Sequence, residues 1–267
     1  MIKKEHITDL NGVMQLITDQ KYDARVQRNR SSFLYRGLPN EAFHLETSLK
    51  RNCKEKQREL EISILRNFTK YATMEDQLLN ESIWRQLIIG QHHGLPTRLI
   101  DWTYSPLIGL HFATSGEDIS NMDKHDGVVW KIDIEEVNKL LPPEYQNELH
   151  RERAYLFTVD MLGNVTKDIK SYDEDMKANS MVFVEPPSID QRIVNQYSYF
   201  SIIPGDMDSI EMFLESNTNN TVKYTIKKEL RWRIRDMLDQ MNINERIIYP
   251  GLDGLSAWIK RHYFVNN

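Results

Sequence analysis

The chain of 267 residues contains one cysteine, 11 glycines, 9 prolines and no long apolar run. Each scarcity removes a class of explanation. A lone cysteine, Cys53, forms no internal disulfide, and it stands in a polar, basic stretch; the expectation is a cytoplasmic protein without redox chemistry. Lys131 and Asp133 interrupt even the apolar stretch Trp130 to Ile134, and nothing approaches the roughly 18 apolar residues of a membrane span. No apolar core follows Lys3 and Lys4, so a secretory signal is not expected. The glycines form neither a Walker loop nor a Gly-x-Gly-x-x-Gly fingerprint, which leaves P-loop and Rossmann sites unsupported. A Gly-x-Ser-x-Gly elbow is missing, and with it the usual turn for a hydrolase nucleophile. His-x-x-x-His and His-x-His are missing too, so His92, His93, Asp101, His111 and His125 lack metal-ligand spacing, and no metal is expected.

What is present is average in bulk and uneven in detail. Hydrophobic residues make 40% of the chain and aromatics 10%, enough for a packed core and too much for a disordered tail. The net charge is −5, yet Lys223, Lys227, Lys228, Arg231, Arg233 and Arg235 are opposed only by Glu229 in their stretch. Such a run is either a solvated helix face or a patch for nucleic acid or a phosphate-bearing ligand.

Periodicity predicts helices over 8–20, 55–71, 77–90 and 227–241, with a last one from about 252. Strands are predicted at 32–36, stopped by Gly37 and Pro39, and at 127–134, 181–184, 199–203 and 222–226. Ser105-Pro106 reads as a helix start, with a capping hydroxyl and proline in the first turn. The polar stretches 114–126, 140–180 and 205–221 read as loops or insertions. With no repeat and no Gly/Ser linker, the expectation is one α+β domain over 1–267.

The densest chemistry lies in Gln91-His92-His93-Gly94-Leu95-Pro96-Thr97-Arg98-Leu99-Ile100-Asp101-Trp102-Thr103. Gly94 and Pro96 fix a turn, so the polar residues around it are held in place. Arg98 and Asp101 are expected to pair across a strand end. His92 is either a general base or a cap for the turn before Pro96. Arg36 and Arg98 suit phosphate, because a guanidinium fork matches phosphate oxygens. Residue chemistry alone leaves two readings open, a functional site or a hydrogen-bonded corner.

Tyr35-Arg36-Gly37, the 91–103 segment and Ser105-Pro106-Leu107 to Phe112-Ala113 together resemble the FRG domain family, named for a Phe/Tyr-Arg-Gly motif. Gly127-Val128-Val129-Trp130, Arg192-Ile193-x-x-Gln196 and Tyr249-Pro250-Gly251-Leu252-Asp253-Gly254-Leu255 extend the resemblance over about 30–260. Tyr35 stands in place of phenylalanine, and Tyr197-Ser198 replaces a residue followed by glycine.

The resemblance implies a protein of bacterial or phage type, with a mixed or antiparallel sheet core and flanking helices resembling ADP-ribosyltransferases. It implies NAD as cofactor and a toxin or phage-defence setting. Arg36 would then hold the dinucleotide. Thr97, Asp101 and Thr103 would belong to the strand that shapes the nicotinamide pocket, with Arg98 beside them and Tyr104 as a stacking ring. Gln196 would take the third catalytic position, with Glu185 as its substitute and His92 as base. Gln196 carries no charge, so a non-catalytic nucleotide- or signal-binding module is the alternative. A protein or nucleic-acid target fits either reading.

Overall fold

A computed structural model describes residues 2–116 and 118–265. The strands are β1 (Lys3–Ile7), β2 (Tyr22–Asp23), β3 (Arg28–Asn29), β4 (Phe33–Leu38), β5 (Leu99–Thr103), β6 (Gly127–Asp133), β7 (Val182–Val184), β8 (Ser198–Ile202) and β9 (Val222–Ile226). Seven of them form one sheet in the order β1-β9-β6-β4-β5-β8-β7, and β2 and β3 make a separate small hairpin. β1 pairs with β9 in parallel, and the other neighbours are antiparallel, so the fold is α+β with a mixed sheet.

The sheet is unevenly zipped. β4 and β6 pair from Phe33–Asp133 to Leu38–Val128, and β5 and β8 from Leu99–Ile202 to Thr103–Ser198. Between these two halves, β4 and β5 share the single bridge Tyr35–Thr103. Alternation of side chains gives each face its own core. Leu34, Leu38, Ile100, Trp102, Val128, Trp130 and Ile132 pack on one face with Phe213 and Leu214 of the helix Ile210–Asn217. The opposite face carries two separate clusters. Tyr35, Val129 and Tyr224 pack with Leu110 and Ile234 in one, and Leu99, Val184 and Phe200 with Trp84 and Tyr172 in the other.

Gly37 lies inside β4 and does not stop it, which corrects the expected end at residue 36. A Cβ there would come within 2.0 Å of the Gly109 carbonyl oxygen and 2.4 Å of Ala113 N. The helix Pro106–Thr114 therefore rests its backbone directly on the strand, and glycine in the Tyr-Arg-Gly triplet is a packing requirement.

Other expectations also change. The stretch 140–180, read as loop, holds the helices Pro143–Glu152, Val159–Val165 and Ile169–Met176, which bury Tyr145, Leu149, Leu162 and Tyr172. The helix Ile210–Asn217 lies in the supposed loop 205–221. The hydroxyl of Ser105 caps nothing; its N–H instead donates to Thr103 Oγ1 at 3.1 Å. Among the described residues no helix is long and apolar enough to cross a membrane.

Gly37→Ala is expected to lower stability by about 1–3 kcal/mol, since a methyl group meets backbone that cannot turn aside. Gly163 lies in a helix, and a Cβ added to it would meet nothing within 4 Å, so its alanine variant should gain up to ~1 kcal/mol. Urea denaturation of both variants checks this; equal behaviour would contradict the packing account.

Candidate functional site

The seam between the two sheet halves organises the polar residues. Arg36 shares its strand face with Leu34 and Leu38, at the place where β4 and β5 have parted. Its Nη1 donates to the Asp101 carbonyl oxygen at 2.7 Å and to the Asp101 carboxylate at 3.4 Å. The Arg36 side chain is 19% exposed and that of Asp101 52%. Buried Nε of Arg36 has no hydrogen-bond partner. Burial lowers the Arg36 pKa, and Arg51 adds to this, while Asp101 works against it. The guanidinium stays charged at any physiological pH, and its charge is incompletely matched.

Asp101 is held from a second side. Gln91 Nε2 donates to its carboxylate at 2.8 Å, and Gln91 Oε1 accepts from Thr97 Oγ1 at 2.6 Å. Thr97 Oγ1 in turn accepts from Leu99 N, and Thr97 N donates to Ser48 Oγ. Thr97 is fully buried and precedes β5, which begins at Leu99; it positions Gln91 and faces no open space. Gln91 belongs to the motif but is absent from the expected site residues, because a glutamine carries no charge to mark it.

Arg98 departs most from expectation. It does not pair with Asp101 and has no donor left for a phosphate. Nε and Nη2 bond to Glu61 at 2.7 and 2.5 Å, Nη1 and Nη2 to Asp173 at 2.6 and 3.2 Å, and Nη1 also to the Ile203 carbonyl. These bonds use all five N–H groups. The residue is an internal pin joining the helices Gln57–Ala72 and Ile169–Met176 to the turn after β8.

The remaining candidates divide. Thr103 Oγ1 donates to the Gln196 carbonyl at 2.8 Å, which ties the two residues together, but the Gln196 carboxamide turns away and donates to the Ile248 carbonyl at 3.2 Å. Tyr104 is 44% exposed, and its hydroxyl donates to the Ser31 carbonyl. Glu185 does not join Arg36: it lines a different cavity with Ser82, Arg85 and Pro186, because β7 ends at Val184 on the far edge of the sheet. His92 caps no turn. Its Nε2 lies 2.5 Å from Asp190 Oδ2, and Asp190 also caps the helix Gln191–Gln196 by accepting from Ile193 N. Burial pushes the Asp190 carboxyl up, but the Ile193 N–H and His92 outweigh it and hold it below the ordinary value.

His92 and Asp190 line a cleft of about 620 Å³ together with Arg192, Tyr249 and Asp253. The Arg192 guanidinium lies over the Tyr249 ring, 5.3 Å from its centroid. Asp190 and Tyr249 were not expected as site residues; Tyr249 opens the late Tyr-Pro-Gly motif, which was the one signal available. Arg36, Asp101 and Gln196 are not part of this cleft's lining, although Asp101 is close enough for its charge to act on Tyr249.

The basic run 223–235 is mostly spent on structure. Arg231 and Arg235 are buried, Arg231 bonding the carbonyls of Ser115 and His125, and Lys227 pairs with Asp126. Trp232 stacks on Phe264 with ring centroids 5.5 Å apart.

A family model described as the FRG domain matches residues 31–122, and that segment, from before Arg36 past Asp101, is an FRG domain. No curated protein and no solved structure matches the chain.

The two arginines of the site should separate in stability measurements. Arg98→Ala leaves the buried Glu61 and the partly exposed Asp173 without their shared cation, and should cost about 3–5 kcal/mol. Arg36→Ala strands only the half-exposed Asp101, and should change stability by less than about 1 kcal/mol. Thermal and urea unfolding of both variants would show it; the reverse order would exchange their roles.

Proposed function

We propose that this FRG-domain protein binds NAD or a closely related nucleotide at the seam between the sheet halves, as an ADP-ribosyltransferase-like effector in the cytoplasm. The observation that carries this reading is Arg36: a guanidinium mostly removed from water, with an unpartnered Nε, beside one half-exposed carboxylate. A phosphate oxygen supplies both the missing acceptor and the missing charge. The contrast with Arg98, whose donors are all in use, supports it.

In this reading Arg36 holds the pyrophosphate, and Asp101 is the carboxylate of the site. The bond from ribose C1′ to the nicotinamide nitrogen breaks with its electron pair leaving on nicotinamide, and positive charge grows on the sugar. A carboxylate near that charge lowers the barrier, because the attraction is greatest in the transition state. Water or an acceptor side chain of a target protein then bonds to C1′ and gives up its proton. Gln91 and Arg36 orient Asp101. Gln196 offers no charge, and its amide is bonded to Ile248, so it ties its own helix to the helical residues 245–248 and is no substitute for the carboxylate. A toxin or phage-defence role suits such chemistry.

A second reading, a non-catalytic nucleotide-binding module, draws on the same Gln196 and on the two hydrogen bonds that already engage the Asp101 carboxylate. Nucleic-acid binding through 223–235 is less favoured, since Arg231 and Arg235 are buried.

Calorimetry with NAD and ADP-ribose, alongside labelled NAD with cell extract, tests the proposal. Arg36→Ala should weaken both ligands by about 10–100-fold, the value of one or two charged hydrogen bonds. Asp101→Asn should preserve binding and abolish release of nicotinamide. Binding without turnover selects the binding module, and failure of the wild-type chain to bind either ligand refutes both readings.

A further inference from the structure

The helix Leu252–His262 is fastened to the protein by one face. Its buried residues, Gly254 and Arg261, are two turns apart and therefore on the same side. Arg261 bonds Asp239 and Glu245. A Cβ on Gly254 would come within 1.8 Å of the Tyr249 carbonyl oxygen, so the helix backbone rests directly on Tyr249.

The opposite side carries Leu252, Ser256 and Ile259, and the C-cap residue Tyr263 continues the row. Leu252 is 78% exposed, Ile259 42% and Tyr263 77%. Alternating steps of four and three positions are those of a coiled-coil seam, here without a second helix on it.

Charge decides what the second helix is. Asp253 and Lys260 flank the row on one side, and Leu255 and His262 flank it on the other. Asp253 and Lys260 are exposed, and among the described residues neither forms a hydrogen bond or an ion pair. In a parallel pair unlike flanks meet, so Lys260 would face Leu255 and no opposite charges would come together. In an antiparallel pair like flanks meet. A second copy of this helix, turned by a two-fold axis, sets Leu252 against Tyr263 and Ser256 against Ile259, with Asp253 against Lys260 at both ends. One register satisfies the apolar row and both charge pairs.

We propose that the chain pairs with a second copy of itself through the helix Leu252–His262, antiparallel about a two-fold axis. The pairing reaches the candidate site. Asp253, Gly254 and Ala257 line the cleft that holds His92 and Asp190, so the second copy's Lys260 arrives at the edge of that cleft. Each copy thus adds a cation to the other's cleft. Three helical turns make a smaller contact than the ~1,200 Å² of a stable interface, so the dimer forms only at micromolar concentration or above. The inference is independent of the nucleotide reading.

Sedimentation equilibrium of the full chain, from ~1 to ~500 μM, tests it. The wild-type chain should pass from monomer to dimer within that range. Ile259→Glu puts a charge into the seam and should weaken association by at least about tenfold. Asp253→Lys or Lys260→Asp alone sets like charges against each other at both ends, and should weaken it by about fivefold. The two reversals together restore opposite charges, and should return association to within about twofold of wild type. A zero-length carbodiimide should join Asp253 of one copy to Lys260 of the other, seen as mixed-isotope peptides from an equal mixture of ¹⁴N and ¹⁵N chains. A chain that stays monomeric at the highest concentration overturns the proposal. So does a dimer in which the double reversal is as weak as either single one, a result that decides the matter even if Ile259→Glu fails to fold. A dimer indifferent to a folded Ile259→Glu uses another surface and overturns it too.

Discussion

A single backbone bridge, Tyr35 to Thr103, joins the two halves of the sheet, and most features of the candidate site follow from it. Beyond that bridge β4 and β5 no longer satisfy each other's peptide groups. Arg36 fills part of the deficit by bonding the Asp101 carbonyl, so a side chain stands in for a ladder hydrogen bond. The helix Pro106–Thr114 presses on β4 at Gly37 and on β6 at Gly127, where a Cβ would come within 2.3 Å of the Ala113 carbonyl. One half is thereby locked to its helix, the other is packed against Trp84 and Tyr172, and the seam between them is left to polar residues.

The buried arginines show how differently one residue type can be used. Arg98 and Arg261 have every guanidinium nitrogen bonded to carboxylates, and brace elements distant in sequence. Arg231 bonds only to carbonyls at the end of the helix Pro106–Thr114 and in the turn before β6. Arg36 has one carbonyl and one long contact to a carboxylate, and its Nε, like those of Arg231 and Arg235, has no hydrogen-bond partner. Unmatched burial of charge costs stability, and Arg36 carries that cost at the seam between the sheet halves.

Much of this was legible in the sequence, and the failures share a cause. The alternation Val128, Trp130, Ile132 gave β6, and the motifs around Arg36 and Asp101 named two side chains that do meet. Arg98 was misjudged because Glu61 and Asp173, which absorb its charge, lie 37 and 75 positions away. The helices between 143 and 176 went unseen because each is short and polar outside, with too few turns for a period to emerge. β1 hid behind Lys3 and Lys4; it is an edge strand, whose exposed positions favour charge. His92 and Asp190 could not be paired from sequence, because no local spacing links residues 98 positions apart. Local chemistry was readable, and the partners supplied by distant segments were not.

The parallel pairing of β1 with β9 sets the order in which this molecule can be completed. Lys3 pairs with Val222 and Ile7 with Ile226, so the first strand of the sheet to leave the ribosome has no neighbour until the last one follows. β9 must seat on β6 as well, and a sheet closed by such distant contacts assembles slowly. Until then the edge of β6 away from β4 lacks its partner, and the nascent chain carries an open strand edge. The half of the sheet that supports Arg36 is thus finished only after every other strand has been made.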